Sequence, residues 1–229
     1  KLFAHLGWSY QRGRKLYIRR DPVDQARYEA ETRTVRAKYA RTGHKVIPLA
    51  SDQSKVDLEG TLGRRWNPIG QQPVVADGAR QKQAENLYGA VHLGTGAEVA
   101  PFAIDWQDSD APIRWYDLLL TECPQGQLLL WQDQAPHHTS EEVEEWLATQ
   151  PRITVIAFPQ YTPEENPKEA TWKDLKEEVS HHHWHETMSE LRTAIDDYYQ
   201  AGKKHVVNFL QKLGDRWRKG IIEPLPQTV

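Results

Sequence analysis

Three acidic residues of this sequence, Asp52, Asp133 and Glu169, lie where they could bind a metal ion together. Asp52 and Asp133 each follow an apolar run that predicts a buried strand, and Glu169 falls in the first turn of a predicted helix. If the two strands are neighbours, all three side chains can meet at one edge of a sheet. Clustered carboxylates repel each other unless a cation lies between them, and their oxygens favour Mg²⁺ or Mn²⁺. Acids at such positions are also common as hydrated residues or helix caps, so position alone leaves both interpretations open.

Apolar periodicity and turn residues predict the helices and strands that carry these acids. Asp21-Pro22 predicts the start of a helix that ends near Gly43. Strands are predicted at 44–51, 72–76, 86–93, 97–104, 127–131 and 153–158, with a hairpin turn at Gly94-Thr-Gly96. Further helices are predicted at 110–121, 141–149, 166–179, 187–200 and 204–219, with a capping box of Thr139 and Glu142. Hairpins followed by strand–helix alternation predict an α/β fold, in which a mixed sheet carries helices on both faces.

Composition limits the class of protein. The chain has 229 residues, of which 27% are charged and 38% hydrophobic, so it can build a packed domain. No apolar run reaches the ~20 residues of a membrane span, and the start shows no signal-peptide pattern. Cys123 is the only cysteine, which excludes an internal disulfide and fits a reducing cytosol.

Positive charge is concentrated at the start of a chain whose net charge is −3. Residues 1–20 contain six Lys or Arg residues and no acid. Such a segment suits contact with DNA phosphates, and the candidate contacts are Arg12, Arg14, Lys15, Arg19 and Arg20. A hydrated terminus that binds nothing fits the charge equally well.

Glu169 lies in the most distinctive segment of the chain, which runs from Pro159 to Trp172 as PQYTPEENPKEATW. This segment resembles the last catalytic motif of the mariner-like DDE transposases, especially their bacterial insertion-sequence branch. That motif is Pro-x-Tyr-Ser/Thr-Pro-x-x-Asn-Pro-apolar-Glu-x-x-Trp, so the sequence departs from it only at Lys168. The resemblance covers roughly residues 44–200.

The other two acids lie in weaker matches to the same family. Asp133-Gln-Ala-Pro-His-His138 resembles the family motif Asp-Asn-Ala-x-x-His, with Gln134 in place of the usual Asn. Asp52-Gln53, followed by Trp66-Asn-Pro68-Ile-Gly70, resembles the first motif, in which an Asp-Glu pair precedes Trp-x-Pro-x-Gly. The 35 residues between Asp133 and Glu169 are a spacing that the family favours.

The resemblance implies an RNase H-like α/β fold with a mixed five-stranded sheet. The implied domains are a basic linker at 1–20 that follows a helix-turn-helix region absent from this chain, a linker helix at 21–43, a catalytic domain at 44–200 and a C-terminal helical extension at 201–229. Trp66 would lie in the loop through which the family pairs its subunits, so a homodimer is expected. A surface turn with one buried Trp is the alternative for this loop.

The implied function is that of a DNA transposase in the bacterial cytoplasm, acting at the nucleoid. Asp52, Asp133 and Glu169 would be the catalytic residues and would hold two Mg²⁺ or Mn²⁺ ions, with support from Gln134, His138 and Asn166. The enzyme would hydrolyse phosphodiesters at the terminal inverted repeats, and the freed 3′-hydroxyl would attack target DNA at a TA dinucleotide. The alternatives are another metal nuclease on the same fold, such as a resolvase or an RNase H, and a domesticated or inactive transposase that only binds DNA.

A histidine cluster, made of His181, His182, His183 and His185, invites a zinc assignment. The sequence offers no Cys or further ligand group at zinc-like spacing beside it. We therefore predict a hydrated polar turn between two helices.

Overall fold

The structure is a computed structural model, and it describes residues 21–42, 45–60, 68–71, 74, 83–104, 110–181, 183–205 and 207. Five strands and five helices follow one another along this part of the chain. In order they are α1 (Pro22–Thr42), β1 (Val46–Asp57), β2 (Ala84–His92), β3 (Glu98–Ile104), α2 (Asp110–Glu122), β4 (Gln127–Gln132), α3 (Glu141–Ala148), β5 (Ile153–Ala157), α4 (Lys168–Val179) and α5 (Met188–Gln200). Short 3-10 turns precede α3 and α4, at Pro136–His138 and Pro163–Glu165.

The five strands form one mixed sheet in the order β3-β2-β1-β4-β5. The strands β1, β2 and β3 are antiparallel, and β2 joins β3 through the tight turn predicted at Gly94–Gly96. The strands β1, β4 and β5 are parallel. The central strand β1 therefore joins an antiparallel half to a parallel half, and the predicted mixed sheet is confirmed.

Both faces of the sheet are covered by helices, which pack on apolar side chains that alternate along the strands. Ile47 and Leu49 of β1 pack with Trp115 and Leu119 of α2 on one face. On the other face, Val46 and Ala50 pack with Tyr28 and Tyr39 of α1, and Val56 packs with helices α4 and α5. Successive strand residues point to opposite faces, so apolar runs covered on both sides are expected. The predicted helices on both faces are confirmed.

The predicted end of the first strand is wrong. The strand was expected to stop before Asp52, but β1 continues to Asp57 and places Asp52 inside it. Pairing with β4 ends at Ala50, whereas antiparallel pairing with β2 continues from Leu49 to Asp57. The prediction followed the apolar run, which ends at Ser51, whereas the strand continues through polar residues that pair with β2.

Helix ends agree with the sequence except in two places. Asp21 caps α1 as predicted, since its Oδ1 accepts a hydrogen bond of 2.8 Å from the Val23 amide. The cap of α3 is Ser140, whose side chain accepts from the Val143 amide, and not Thr139, whose hydroxyl donates to the Pro136 carbonyl instead. The helix predicted from 204 does not start there, because Lys204 forms a bridge with Ala97 at the edge of the sheet.

Several predictions fall on residues outside the described ranges. These are the basic segment 1–20, the loop that contains Trp66, most of the strand at 72–76, and the chain from 208 onward. None of the helices that the structure describes combines the length and the apolar character that crossing a membrane requires.

Candidate active site

The strand register brings Asp52 and Asp133 side by side. Ala50 of β1 and Trp131 of β4 form the last pair of their parallel ladder. Asp52 and Asp133 each lie two residues farther along, and side chains two residues apart in a strand share a face. That shared face is the one covered by α1, α4 and α5, and both acids line the same cleft there.

Glu169 is brought to this cleft by the start of α4. Asn166, just before the helix, accepts a hydrogen bond of 3.0 Å on Oδ1 from the Lys168 amide, and its Nδ2 donates to the Ser51 carbonyl at 3.3 Å. A side chain that bonds both to the first amide of the helix and to β1 holds the first turn of the helix against the strand. The side chain of Asn166 thus connects the turn that carries Glu169 to the residue before Asp52.

The three acids line one open cleft of about 410 Å³. The segment from Phe158 to Pro163, between β5 and α4, forms a wall of this cleft. Tyr161 in this wall has a left-handed backbone with φ 57° and is half exposed. A positive φ is uncommon for a bulky residue, and such conformations cluster at functional sites.

The acids affect each other's ionisation. Burial, together with the charges of Glu169 and Asp133, raises the pKa of Asp52 to about 8. The Gln53 backbone and the Lys168 ammonium oppose this shift. The side chain of Asp133, in contrast, is 56% exposed to the cleft. A divalent cation would offset the repulsion between Asp52 and its two neighbours and would favour the charged form of Asp52.

The donor set fits a hard divalent cation, since it consists of three carboxylates on one cleft. Among the residues that the structure describes, no three His, Cys, Asp or Glu side chains already stand close enough together to hold one ion. Repulsion keeps like charges apart, so we expect the three side chains to approach one another when a cation offsets it.

Gln134 and His138 contact the surroundings of Asp133. Gln134 Nε2 donates to the Phe158 carbonyl at 2.8 Å, so its longer side chain joins the ends of β4 and β5. His138 Nε2 lies 3.5 Å from Asp133 Oδ1, and its Nδ1 lies 3.5 Å from the Tyr116 hydroxyl. Burial and the neighbouring His137 lower the pKa of His138 to about 3. His138 is therefore a neutral neighbour of Asp133 and adds no positive charge to the cleft.

A buried ion pair beneath the cleft was not anticipated. Lys168, the one departure from the last motif, is fully buried, forms an ion pair with Glu98 of β3 and lies 3.9 Å from the ring centre of Trp172. Its side chain passes over Gly89, the cross-strand partner of Asp52, where a Cβ would come within 2.7 Å of Lys168 Cε. Lys168 occupies a position where the motif has an apolar residue, but no sequence signal linked it to Glu98, 70 residues away.

Gln53 was noted only because it replaces the family's Glu. In the structure its Nε2 lies 2.7 Å from His137 Nε2. Gln53 points to the face opposite Asp52, as alternation along a strand requires. Its contact joins β1 to the turn that follows Asp133.

The remaining candidate residues either lie outside the described ranges or do not line this cleft. The five basic residues of the first segment, Trp66 and His182 lie outside those ranges. His185 Nε2 lies 2.8 Å from the Val179 carbonyl, at the end of α4. The other described histidines of the cluster likewise form no metal group with described neighbours.

The raised pKa of Asp52 predicts how metal-free stability depends on pH. The folded chain keeps a proton on Asp52 up to about pH 8, whereas the ordinary pKa is 3.8. The folded state therefore binds more protons between these values, and the melting temperature should fall as pH rises through that window. Asp52→Asn should flatten this dependence and melt several degrees higher than the wild type near pH 8.

Millimolar Mn²⁺ adds a second measurement to the same comparison. At ten times its Kd it should stabilise the wild type by about 1.4 kcal/mol, and Asp52→Asn should lose most of this response. Asp57→Asn, at the far end of the same strand, is the matched control. Identical melting of wild type and Asp52→Asn from pH 5 to 8.5, with and without Mn²⁺, would show that the acids form no common site.

The sequence of this chain is similar to those of known proteins. The sequence pattern of the DDE superfamily endonuclease family matches residues 49–192, which include all three acids. An IS630 insertion-element protein of 39 kDa from Shigella sonnei, described as uncharacterized, is 28% identical over 161 residues. The alignment covers 67% of this chain and 46% of that protein, so the chain spans less than half the length of this relative.

Solved structures share the fold. The Mos1 transposase in its paired-end complex with the left transposon end superimposes with a TM-score of 0.65 at 15% identity, over 96% of this chain and 67% of that one. The catalytic domain of Mos1 mariner transposase gives 0.55 at 15% identity, over 92% and 96% of the two chains. This likeness confirms the predicted RNase H-like fold. Because the family pattern covers more than half of the sequence, the chain belongs to the DDE superfamily endonuclease family.

Proposed function

We propose that this chain is the catalytic part of a DNA transposase that cuts transposon ends and joins them to target DNA. The observation that carries the proposal is the shared cleft of Asp52, Asp133 and Glu169, at the point where parallel pairing of the sheet ends. Relatives of the same fold include a Mos1 paired-end complex with Mn and another with Mg. We therefore propose DNA as the substrate and two Mg²⁺ or Mn²⁺ ions as the cofactor.

The three carboxylates would hold these ions. Bound divalent ions stabilise the charge that develops on the attacking and leaving oxygens of phosphoryl transfer. Asp52 must lose its proton when it becomes a ligand, and the Lys168 ammonium favours this charged form. Asn166 keeps the first turn of α4 against β1, and the cleft is open, so that a DNA strand can reach the acids.

Cys123 is not a candidate for a covalent nucleophile. Cys123 is buried, and burial together with the charge of Glu122 raises the pKa of its thiol to about 11. A thiol held in its neutral form attacks phosphorus or carbon poorly. The route that we propose is direct attack assisted by metal ions, first by water at the terminal repeats and then by the freed 3′-hydroxyl at a TA target.

The domain boundaries of the sequence analysis are part of this proposal. Residues 1–20 act as a basic linker to DNA, 21–43 as the linker helix, 44–200 as the catalytic domain, and 201–229 as a helical extension. Two copies pair through the loop around Trp66, and the protein works on nucleoid DNA in the cytoplasm. These assignments are therefore to be tested on the full-length enzyme.

The deciding experiment is cleavage of a matched transposon end by the full-length protein with Mg²⁺ or Mn²⁺, followed by transfer into a supercoiled plasmid. Nicked ends and plasmid insertions at TA are expected. Cleavage without strand transfer would favour another nuclease on this fold. DNA binding without cleavage would favour a domesticated or inactive protein.

The basic segment predicts a strong salt dependence of DNA binding. Each phosphate contact contributes a slope of about −0.9 to a plot of log K against log salt, so five contacts give about −4 to −5. Replacement of Arg19 and Arg20 by Ala should reduce the slope by about two, equally for random and terminal-repeat duplexes. Arg33→Ala with Lys38→Ala, two exposed residues of α1, is the matched control. An unchanged slope for the first variant would remove these residues from the DNA contact.

A further inference from the structure

Helix α1 packs against the strand that leads into the cleft wall. The ring of Tyr28 lies 6.1 Å from that of Phe158, the first residue after β5. Farther along the helix, the Tyr39 hydroxyl lies 3.2 Å from Thr154 Oγ1. Both tyrosines are buried, so one face of α1 forms part of the core. The first turn of the helix therefore has a fixed position relative to the active-site cleft.

Asp24, in this first turn, reaches the active site directly. Its Oδ2 accepts a hydrogen bond of 2.8 Å from the Gln160 backbone amide, in the cleft wall. The same oxygen lies 3.4 Å from Gln134 Nε2, and Gln134 follows Asp133. The other oxygen, Oδ1, accepts from Arg27 Nε at 3.1 Å. The carboxylate of Asp24 thus contacts both the segment after β4, which contains Asp133, and the cleft wall.

The contacts of Gln134 show what Asp24 can hold in place. Gln134 Nε2 also donates to the Phe158 carbonyl at 2.8 Å, so it joins the end of β4 to the cleft wall while Asp24 lies beside both. Hydrogen bonds to a charged acceptor are about twice as strong as neutral ones. The Asn that the family usually has at position 134 is shorter by one methylene. The longer side chain of Gln134 therefore suits a carboxylate at position 24.

We propose that Asp24 is a positioning residue of the active site, through which helix α1 holds the wall at Gln160 and the Gln134 side chain beside Asp133. The contact requires only the fold, whereas its effect on catalysis rests on the proposed function. Asp24 follows the basic segment in sequence after three residues, and it is where the helix after that segment meets the cleft. A shift of the wall or of Gln134 would misplace Asp133, and misplacements of about 1 Å cost on the order of 100-fold in rate.

Hydrogen exchange of the Gln160 amide tests the contact without any activity. In the 229-residue chain, Asp24→Ala should raise the exchange rate of this amide about tenfold or more, because its acceptor is lost. Asp24→Asn keeps one acceptor oxygen and should recover part of the protection. Glu29→Ala, an exposed acid on the same helix, is the matched control and should leave this amide unchanged. Unchanged exchange in a natively folded Asp24→Ala, or an equal rise in Glu29→Ala, would overturn the proposal.

Kinetics of the full-length enzyme then test positioning. Asp24→Ala should lower kcat for end cleavage about tenfold or more and leave KM for DNA within about twofold, and Asp24→Asn should restore part of kcat. If Asp24 acts through Gln134, combining Asp24→Ala with Gln134→Asn should cost less than the product of the two single losses. A multiplicative loss, or a change in KM alone, would overturn a positioning role. If the wild type cleaves no DNA, the proposed function fails, while the exchange measurement still decides the contact.

Discussion

Replacement of Asp52, Asp133 or Glu169 by alanine should each abolish strand cleavage by the full-length enzyme. Two-metal phosphoryl transfer needs all three anions, and loss of one should reduce the rate at least about a thousandfold, or roughly 4 kcal/mol of transition-state stabilisation. The measurement is single-turnover nicking of a matched transposon end at saturating Mn²⁺. Far-UV circular dichroism should remain native-like in every variant.

Matched acids in the same elements separate this effect from general loss of charge. Asp57→Ala changes the far end of β1, where Asp57 pairs with exposed Lys55 at 2.8 Å. Glu177→Ala changes the exposed side of α4, where Glu177 lies 3.5 Å from Lys173. Both controls should keep near wild-type cleavage. If a folded Asp52, Asp133 or Glu169 variant cleaves as fast as these controls, that residue is not part of the active site.

Glu98→Gln should be the most destabilising single change that we predict. It leaves the fully buried ammonium of Lys168 without its carboxylate, and breaking a buried pair from one side costs about 3–5 kcal/mol. For a domain of this size the melting temperature should fall on the order of 10 °C. Glu85→Gln is the control, because the Arg192 partner of Glu85 is 56% exposed and stays hydrated when the pair is lost.

A second substitution shows whether the unpaired charge is the cause. Adding Lys168→Met to Glu98→Gln removes the buried charge and keeps the volume, so most of the lost stability should return. The Glu98→Gln variant should also become more stable as pH rises. Burial already lowers the pKa of Lys168 in the wild type, so the folded variant binds fewer protons than the unfolded chain. A double variant that is no more stable than Glu98→Gln would contradict this account of the pair.

Local sequence patterns were sufficient to predict the elements and to select the three acids as candidates. Apolar runs and turn residues located all five described strands and five of the predicted helices, because these signals depend on neighbours along the chain. The motif around Glu169 led to the family that the comparison confirms. The convergence of the acids, in contrast, depends on the pairing of Ala50 with Trp131, which no local signal encodes.

Long-range contacts account for what the sequence could not supply. The extension of β1 to Asp57 depends on β2, which pairs with it along its whole second half. Glu98 and Asp24 looked like ordinary charged residues of an edge strand and a solvent-exposed helix. Their importance comes from Lys168 and Gln160, which lie far away in sequence. Charge partners across a fold are set by tertiary packing, so they become visible only in three dimensions.

The division of the sheet into an antiparallel and a parallel half has a consequence during synthesis. The strands β2 and β3 close a short turn, and β1 pairs with β2 across a longer connection, whereas parallel pairing between β1 and β4 must wait until β2, β3 and α2 have also been made. On the ribosome, the half that carries Asp52 emerges first, and Asp133 and Glu169 are added only with the later strands and α4. A nascent or prematurely terminated chain therefore has no assembled acid cluster. A fragment that ends before α4 would lack Glu169, and we expect it to cut no DNA.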